Sequence, residues 1–186
     1  MGAFEFYLSF YGLLLGLSVA EVASGFLSAL GARRKITIGW LTPALAIFVF
    51  LDITSFWIYI WGIRDSVVVN WATMFGGLFV ALTYYISAGL IFPRDILEWP
   101  KLDDHYWRDK RLVLGGILLA NLVTAVPTQI IHPPTLDASF IFGWVTYWPP
   151  LVVYWLSRSS KLDLVMVIVL LGGYLANVLL PSWILS

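Results

Sequence analysis

The chain has 186 residues with 11 basic and 11 acidic side chains, and 60% of it is hydrophobic while only 12% is charged. A soluble domain carries roughly 25% charged residues, so this composition belongs to the membrane class. The zero net charge leaves no electrostatic footprint for nucleic acid or for a polybasic lipid contact. Absence of cysteine removes disulfides, thiolate catalysis and thiolate metal sites together.

The first apolar run, about residues 4–30, contains Glu5 and meets no Lys or Arg before Arg33. It is too long for a signal-peptide core and reads as a retained helix. Gly12, Gly16, Ala20, Ser24 and Ser28 recur at every fourth position along it. Such a ladder lets another helix approach closely in lipid, so these five are expected to line a helix–helix contact, within the bundle or between copies. Glu21 borders the ladder at mid-depth and is expected to face a neighbouring helix.

After Arg33-Arg34-Lys35 comes a second run, about residues 40–62, with Pro43 near its start. At about 1.5 Å per residue it just crosses a core of roughly 30 Å, which places Asp52 near the midplane. A carboxylate there costs at least about 2.5 kcal/mol and normally faces a protein interior or a watery cavity. Ser55 and Tyr59 lie three and seven residues on, so the three form one stripe in which hydroxyls are expected to bond the carboxyl group.

The third run, about residues 66–92, ends at Pro93. Residues 93–111 form the one long polar connection. From Leu102 it reads as a short interfacial helix, with Asp104 paired to Arg108 and with Trp99, Tyr106 and Trp107 at headgroup level. A fourth run, about residues 112–131, carries Asn121, Thr124 and Thr128 on one face and Pro127 within it. The fifth, about residues 138–156, contains Pro149-Pro150, which is expected to break or kink it. The sixth, about residues 162–185, holds Gly172, Gly173, Ala176, Asn177 and Pro181.

The fold expected is all-α, a single polytopic bundle of six membrane spans over residues 1–186. Ten basic residues fall in loops 1, 3 and 5, against Arg64 alone on the other side. The positive-inside rule then puts those loops in the cytoplasm and both termini in the periplasm. A weak internal repeat, Gly16-x-x-x-Ala20-Glu21, Gly116-x-x-x-Ala120-Asn121 and Gly172-x-x-x-Ala176-Asn177, suggests two inverted three-helix halves.

In layout the chain resembles a group of small, uncharacterised bacterial integral membrane proteins. The resemblance rests on Tyr11 through Glu21, Phe56-Trp57 to Trp61, Tyr84-Tyr85 to Phe92-Pro93 and Leu102 through Arg111, within the first two-thirds of the chain. It implies a bacterial inner membrane and brings no activity.

Counted from the basic ends, Glu21, Asp52, Thr83, Asn121 and Tyr147 all lie about ten to twelve residues in, or roughly 15–18 Å deep. One polar layer holding two acids with no Lys or Arg in the spans must be protonated, solvated or balanced by a cation. Glu21, Asp52, Ser55, Tyr59, Asn121 and Thr124 are therefore the candidates for handling a proton, Na⁺ or an organic cation in a channel or carrier. The alternative is an accessory or assembly subunit of a larger membrane complex, in which the acids are only hydrogen-bonding glue. No catalytic, phosphate-binding or dinucleotide motif occurs, so neither an enzyme nor a cofactor is expected. Asp103, Asp104, His105 and Asp109 have loose metal-ligand spacing, better explained by a solvated, ion-paired helix, and no metal is expected. The expected partners are the lipid bilayer and either further copies of the chain or a membrane complex.

Overall fold

The computed structural model describes residues 2–179, with the side chains of residues 177–179 left out. Among the described residues the structure is all-helical, with six helices: α1 Ala3–Ala32, α2 Leu41–Gly62, α3 Trp71–Gly89, α4 Leu102–Ile131, α5 Ala138–Leu156 and α6 Ser160–Leu179. Four of them, α1 to α4, are long and apolar enough to cross a membrane.

Local chemistry sets the helix boundaries. Asn70 accepts from the Thr73 amide at 3.0 Å and so starts α3 later than hydrophobicity alone suggests. Asp137 accepts from the Phe140 amide at 2.7 Å and starts α5, and the Ser139 hydroxyl together with that amide holds the Asp137 carboxyl below the usual range. α2 has no side-chain cap of its own, and the Asp103 carboxylate from the first turn of α4 packs against Gly39 just before it. That approach requires a glycine, since the φ of Gly39 is +71° and its position leaves no room for a Cβ beside the carboxylate.

Three expectations about the helices change. Residues 102–131 form one unbroken helix rather than an interfacial piece followed by a span, because Asp103 and Asp104 fit its N-terminus and nothing interrupts it before Ile131. Its first turns point into the bundle, so Tyr106 is buried, while Arg108 pairs with Asp109 at 2.8 Å instead of with Asp104. Pro149 and Pro150 do not break α5, which runs through both. α6 packs closely there, with Gly173 against Thr146, so neighbouring structure supports the turn that lost its amide donors.

The helices close into a ring in the order α1, α3, α4, α5, α6, α2 and back to α1, with α2 also leaning inward on α4. This arrangement does not follow a three-plus-three symmetry. α5 packs on α6 along much of its length, whereas the matching pair α2 and α3 barely meets. Pro181 and the end of the sixth run lie outside the described residues, as does the Asn177 side chain.

One end of the ring gathers the basic connections. Thr37 pairs with residues 100–102, its amide donating to Pro100 O and its carbonyl accepting from the Leu102 amide, both at 2.9 Å, and Lys110 reaches Ser157 O at 3.0 Å. The connections around residues 33–40, 90–101 and 157–160 therefore meet at that end.

The small-residue ladder of α1 is not a packing face within the bundle. Gly12 is buried against the Trp57 ring, but Gly16 has open space around it and Ala20, Ser24 and Ser28 are exposed. α1 instead presents Tyr7, Tyr11, Leu15 and Val22 inward, with Ser18 among them, because these four larger side chains bury more apolar surface than the ladder does.

Candidate functional site

Asp52 lies where four other helices converge on α2, and it is only 1% exposed. Its Oδ1 accepts from the hydroxyls of Tyr147 on α5 at 2.6 Å and Tyr174 on α6 at 2.7 Å. Its Oδ2 accepts from the Tyr84 hydroxyl on α3 at 2.8 Å and from Asn121 Nδ2 on α4 at 3.3 Å. Asn121 also donates to the Tyr84 oxygen at 3.1 Å and to the Ile117 carbonyl one turn back at 3.0 Å.

Four donors on two oxygens is about the full complement that an ionised carboxylate can accept. Among the described residues no Lys, Arg or His forms an ion pair with Asp52. The cluster thus satisfies the charge locally by hydrogen bonds and leaves it without a countercharge. Hydroxyls accept as well as donate, so a protonated Asp52 can donate a hydrogen bond to a tyrosine oxygen once that hydroxyl rotates.

Beside the cluster is a cleft of about 640 Å³ between α2, α4 and α5, within the size range of small-molecule sites. Asp52 and Tyr174 line it together with the aromatic rings of Phe56, Tyr59, Tyr147, Trp144 and Trp148. It extends past Gln129 to Ser139 and Phe140, toward the end opposite the basic connections.

Of the residues singled out in the sequence, Asp52, Ser55, Tyr59, Asn121 and Thr124 all line this cleft. Their roles differ from expectation. The Ser55 hydroxyl bonds the Asp52 carbonyl at 2.9 Å and Thr124 bonds the Ala120 carbonyl at 3.1 Å, since a short hydroxyl on a helix finds its own backbone before a distant side chain. Tyr59 is 38% exposed and stands at the wall.

Glu21 is not part of the site. It is exposed on α1 beside Gly89, because the α1–α3 contact turns its face away from α2 and α5. The polar layer therefore contains one acid rather than two. Thr83 bonds the Phe79 carbonyl at 2.8 Å, and it is its neighbour Tyr84 that faces Asp52.

No known family, curated protein or solved structure matches the chain. The chemistry of the site therefore has to be taken from its own geometry.

A second buried acid lies near the basic end, and it contrasts with the first. Asp163 on α6 accepts from Lys110 Nζ at 2.7 Å on both oxygens and from the Tyr106 hydroxyl at 2.7 Å. Lys110 stands over the Tyr154 and Trp107 rings at 5.1 Å, and the Tyr106 and Tyr154 hydroxyls are 3.3 Å apart. Sequence reading missed this pair because Lys110 appeared to belong to a solvated interfacial helix. His105 meets Asp109 at 3.1 Å on the same helix, and no group of three or more metal-ligating side chains is found among the described residues.

Proposed function

We propose that this protein is a small carrier of organic cations that binds its substrate and a proton alternately at Asp52. The observation that carries the reading is a buried carboxylate, without a basic partner among the described residues, that lines an aromatic-walled cleft. A cation over Trp or Tyr faces gains about 0.5–2 kcal/mol, the larger value when desolvated, and the carboxylate supplies the charge that selects it. One tyrosine hydroxyl, on Tyr147 or Tyr174, swings off Oδ1 to admit the cation. A proton and a cation neutralise the same group, so each excludes the other, which is the requirement for exchange.

In this reading the chain crosses a bacterial inner membrane six times, with the basic connections in the cytoplasm and both termini outside. Six of the 11 basic residues lie in those connections and Arg108, Lys110, Arg111 and Lys161 lie in the adjoining turns of α4 and α6, which supports that orientation. The cleft then opens to the outside. The test is equilibrium binding of tetraphenylphosphonium to detergent-solubilised protein, which Asp52→Asn is expected to abolish while the helical content stays unchanged.

A second reading, an accessory subunit of a larger membrane complex or a homo-oligomer, draws on the uncovered face of α1. Gly16, Ala20, Ser24 and Ser28 are open there, beside Glu21. Wild-type protein that binds no organic cation would favour it.

A further inference from the structure

One side chain divides the two buried acids. Phe48, one turn before Asp52 on α2, is 0% exposed, and its ring meets the Tyr154 ring edge-on at 6.2 Å and lies 6.5 Å from that of Tyr174. Tyr174 holds Asp52, and Tyr154 touches the Tyr106 hydroxyl that holds Asp163. Between the two networks, α5 contributes Leu151 and α4 contributes Leu114 and Ile117, all 0% exposed. From Tyr147 to Tyr154 the helix rises about 10 Å; no polar side chain of α2, α4 or α5 bridges the interval, and the one hydroxyl packed on this stretch of α4 is that of Ser87 on α3, against Gly116.

An apolar constriction of this kind stops ions and protons by excluding water. We infer that Phe48 is the barrier residue of the pathway, and that Tyr154, Tyr106 and Asp163 form its proton station on the side of the basic connections. The inference rests on the proposed function only in taking Asp52 as the proton-bearing group. A proton leaving Asp52 inward crosses on water that enters when the Phe48 ring turns aside. The Tyr154 hydroxyl takes it and gives its own to Tyr106, which gives its own to the Asp163 carboxylate. Each hydroxyl ends with one proton, Asp52 ends ionised and Asp163 neutral. The Lys110 ammonium, 2.7 Å from both oxygens, is the countercharge of the Asp163 carboxylate.

The experiment is passive proton leak in proteoliposomes under an imposed pH gradient, with the potential clamped by potassium and valinomycin and no organic cation present. The wild type is expected to leak no faster than empty liposomes. Phe48→Ser is expected to raise the rate on the order of tenfold, and adding either Asp52→Asn or Tyr154→Phe is expected to return it to the wild-type value. Tyr154→Phe keeps the ring that packs on Phe48 and removes only the relay hydroxyl. Phe48→Ala serves in place of the serine variant should the latter misfold, and Phe48→Leu, which keeps the site apolar and filled, is expected to stay tight. A folded Phe48→Ser or Phe48→Ala that does not leak overturns the inference, and so does a leak that survives Asp52→Asn. Failure here is separate from failure of the substrate reading, since no organic cation enters the assay. An Asp52-dependent leak in a protein that binds no tetraphenylphosphonium would leave the barrier standing and remove the substrate.

Discussion

The Tyr174 hydroxyl meets Asp52 Oδ1 at 2.7 Å, joining α6 to α2 across 122 positions of sequence. With Tyr84, Asn121 and Tyr147 it makes the carboxylate a common fastening point for five helices, so the site and the fold share their interactions.

Removal of single hydroxyls separates the two contributions. Tyr84→Phe, Tyr147→Phe and Tyr174→Phe each withdraw a donor from a buried carboxylate, and each is expected to cost about 1.5–3 kcal/mol. Tyr84→Phe is expected to cost most, because that oxygen also accepts from Asn121. Tyr11→Phe is the control: its hydroxyl is buried without a partner, so removing it is expected to be neutral or stabilising. Thermal unfolding in one detergent checks all four.

The Lys110–Asp163 pair is fully desolvated, with side chains 1% and 0% exposed. Lys110→Met alone leaves a buried carboxylate without its charge partner and is expected to destabilise by about 3–5 kcal/mol. The double change Lys110→Met with Asp163→Leu is expected to recover most of that loss. A double-mutant cycle on unfolding free energies measures the coupling, and additive losses would show that the pair is not a unit.

On α1 the structure separates two glycines of one ladder. Gly12 faces the Trp57 ring, with a Cβ there only 2.9 Å from it, whereas Gly16 has nothing within 4 Å. Gly12→Leu is expected to cost about 1–3 kcal/mol through overpacking. Gly16→Leu is expected to leave the stability of the single chain within about 0.5 kcal/mol. A change in oligomeric state with Gly16→Leu, read by size-exclusion chromatography with light scattering, would assign the open face to a second chain.

Much of this fold was legible because hydrophobic run lengths and loop charges act locally. The expected α2 and α5 coincide with the observed helices within a residue. α3 was misjudged at its start, where the Asn70 cap outweighs the apolar Val67, Val68 and Val69 that precede it. The anomaly of Asp52 was visible as a charge amid hydrocarbon, and Asn121 and Tyr147 followed from equal depth. Tyr84 and Tyr174 did not, since tyrosine in a membrane helix is ordinarily an interfacial residue. The same depth count applied to Tyr174, twelve residues beyond Leu162, would have placed it in the layer. Glu21 shows the limit of depth as a guide. Depth does not fix the direction in which a helix turns its face, and that direction is set by packing between helices.

Exchange at Asp52 is tested most directly by counting protons released as tetraphenylphosphonium binds, from calorimetric titrations in buffers of different ionisation enthalpy at a pH where the free site holds its proton. Release approaching one proton per cation bound is expected in the wild type, with both binding and release lost in Asp52→Asn. Binding without proton release, or binding that survives Asp52→Asn, would contradict it.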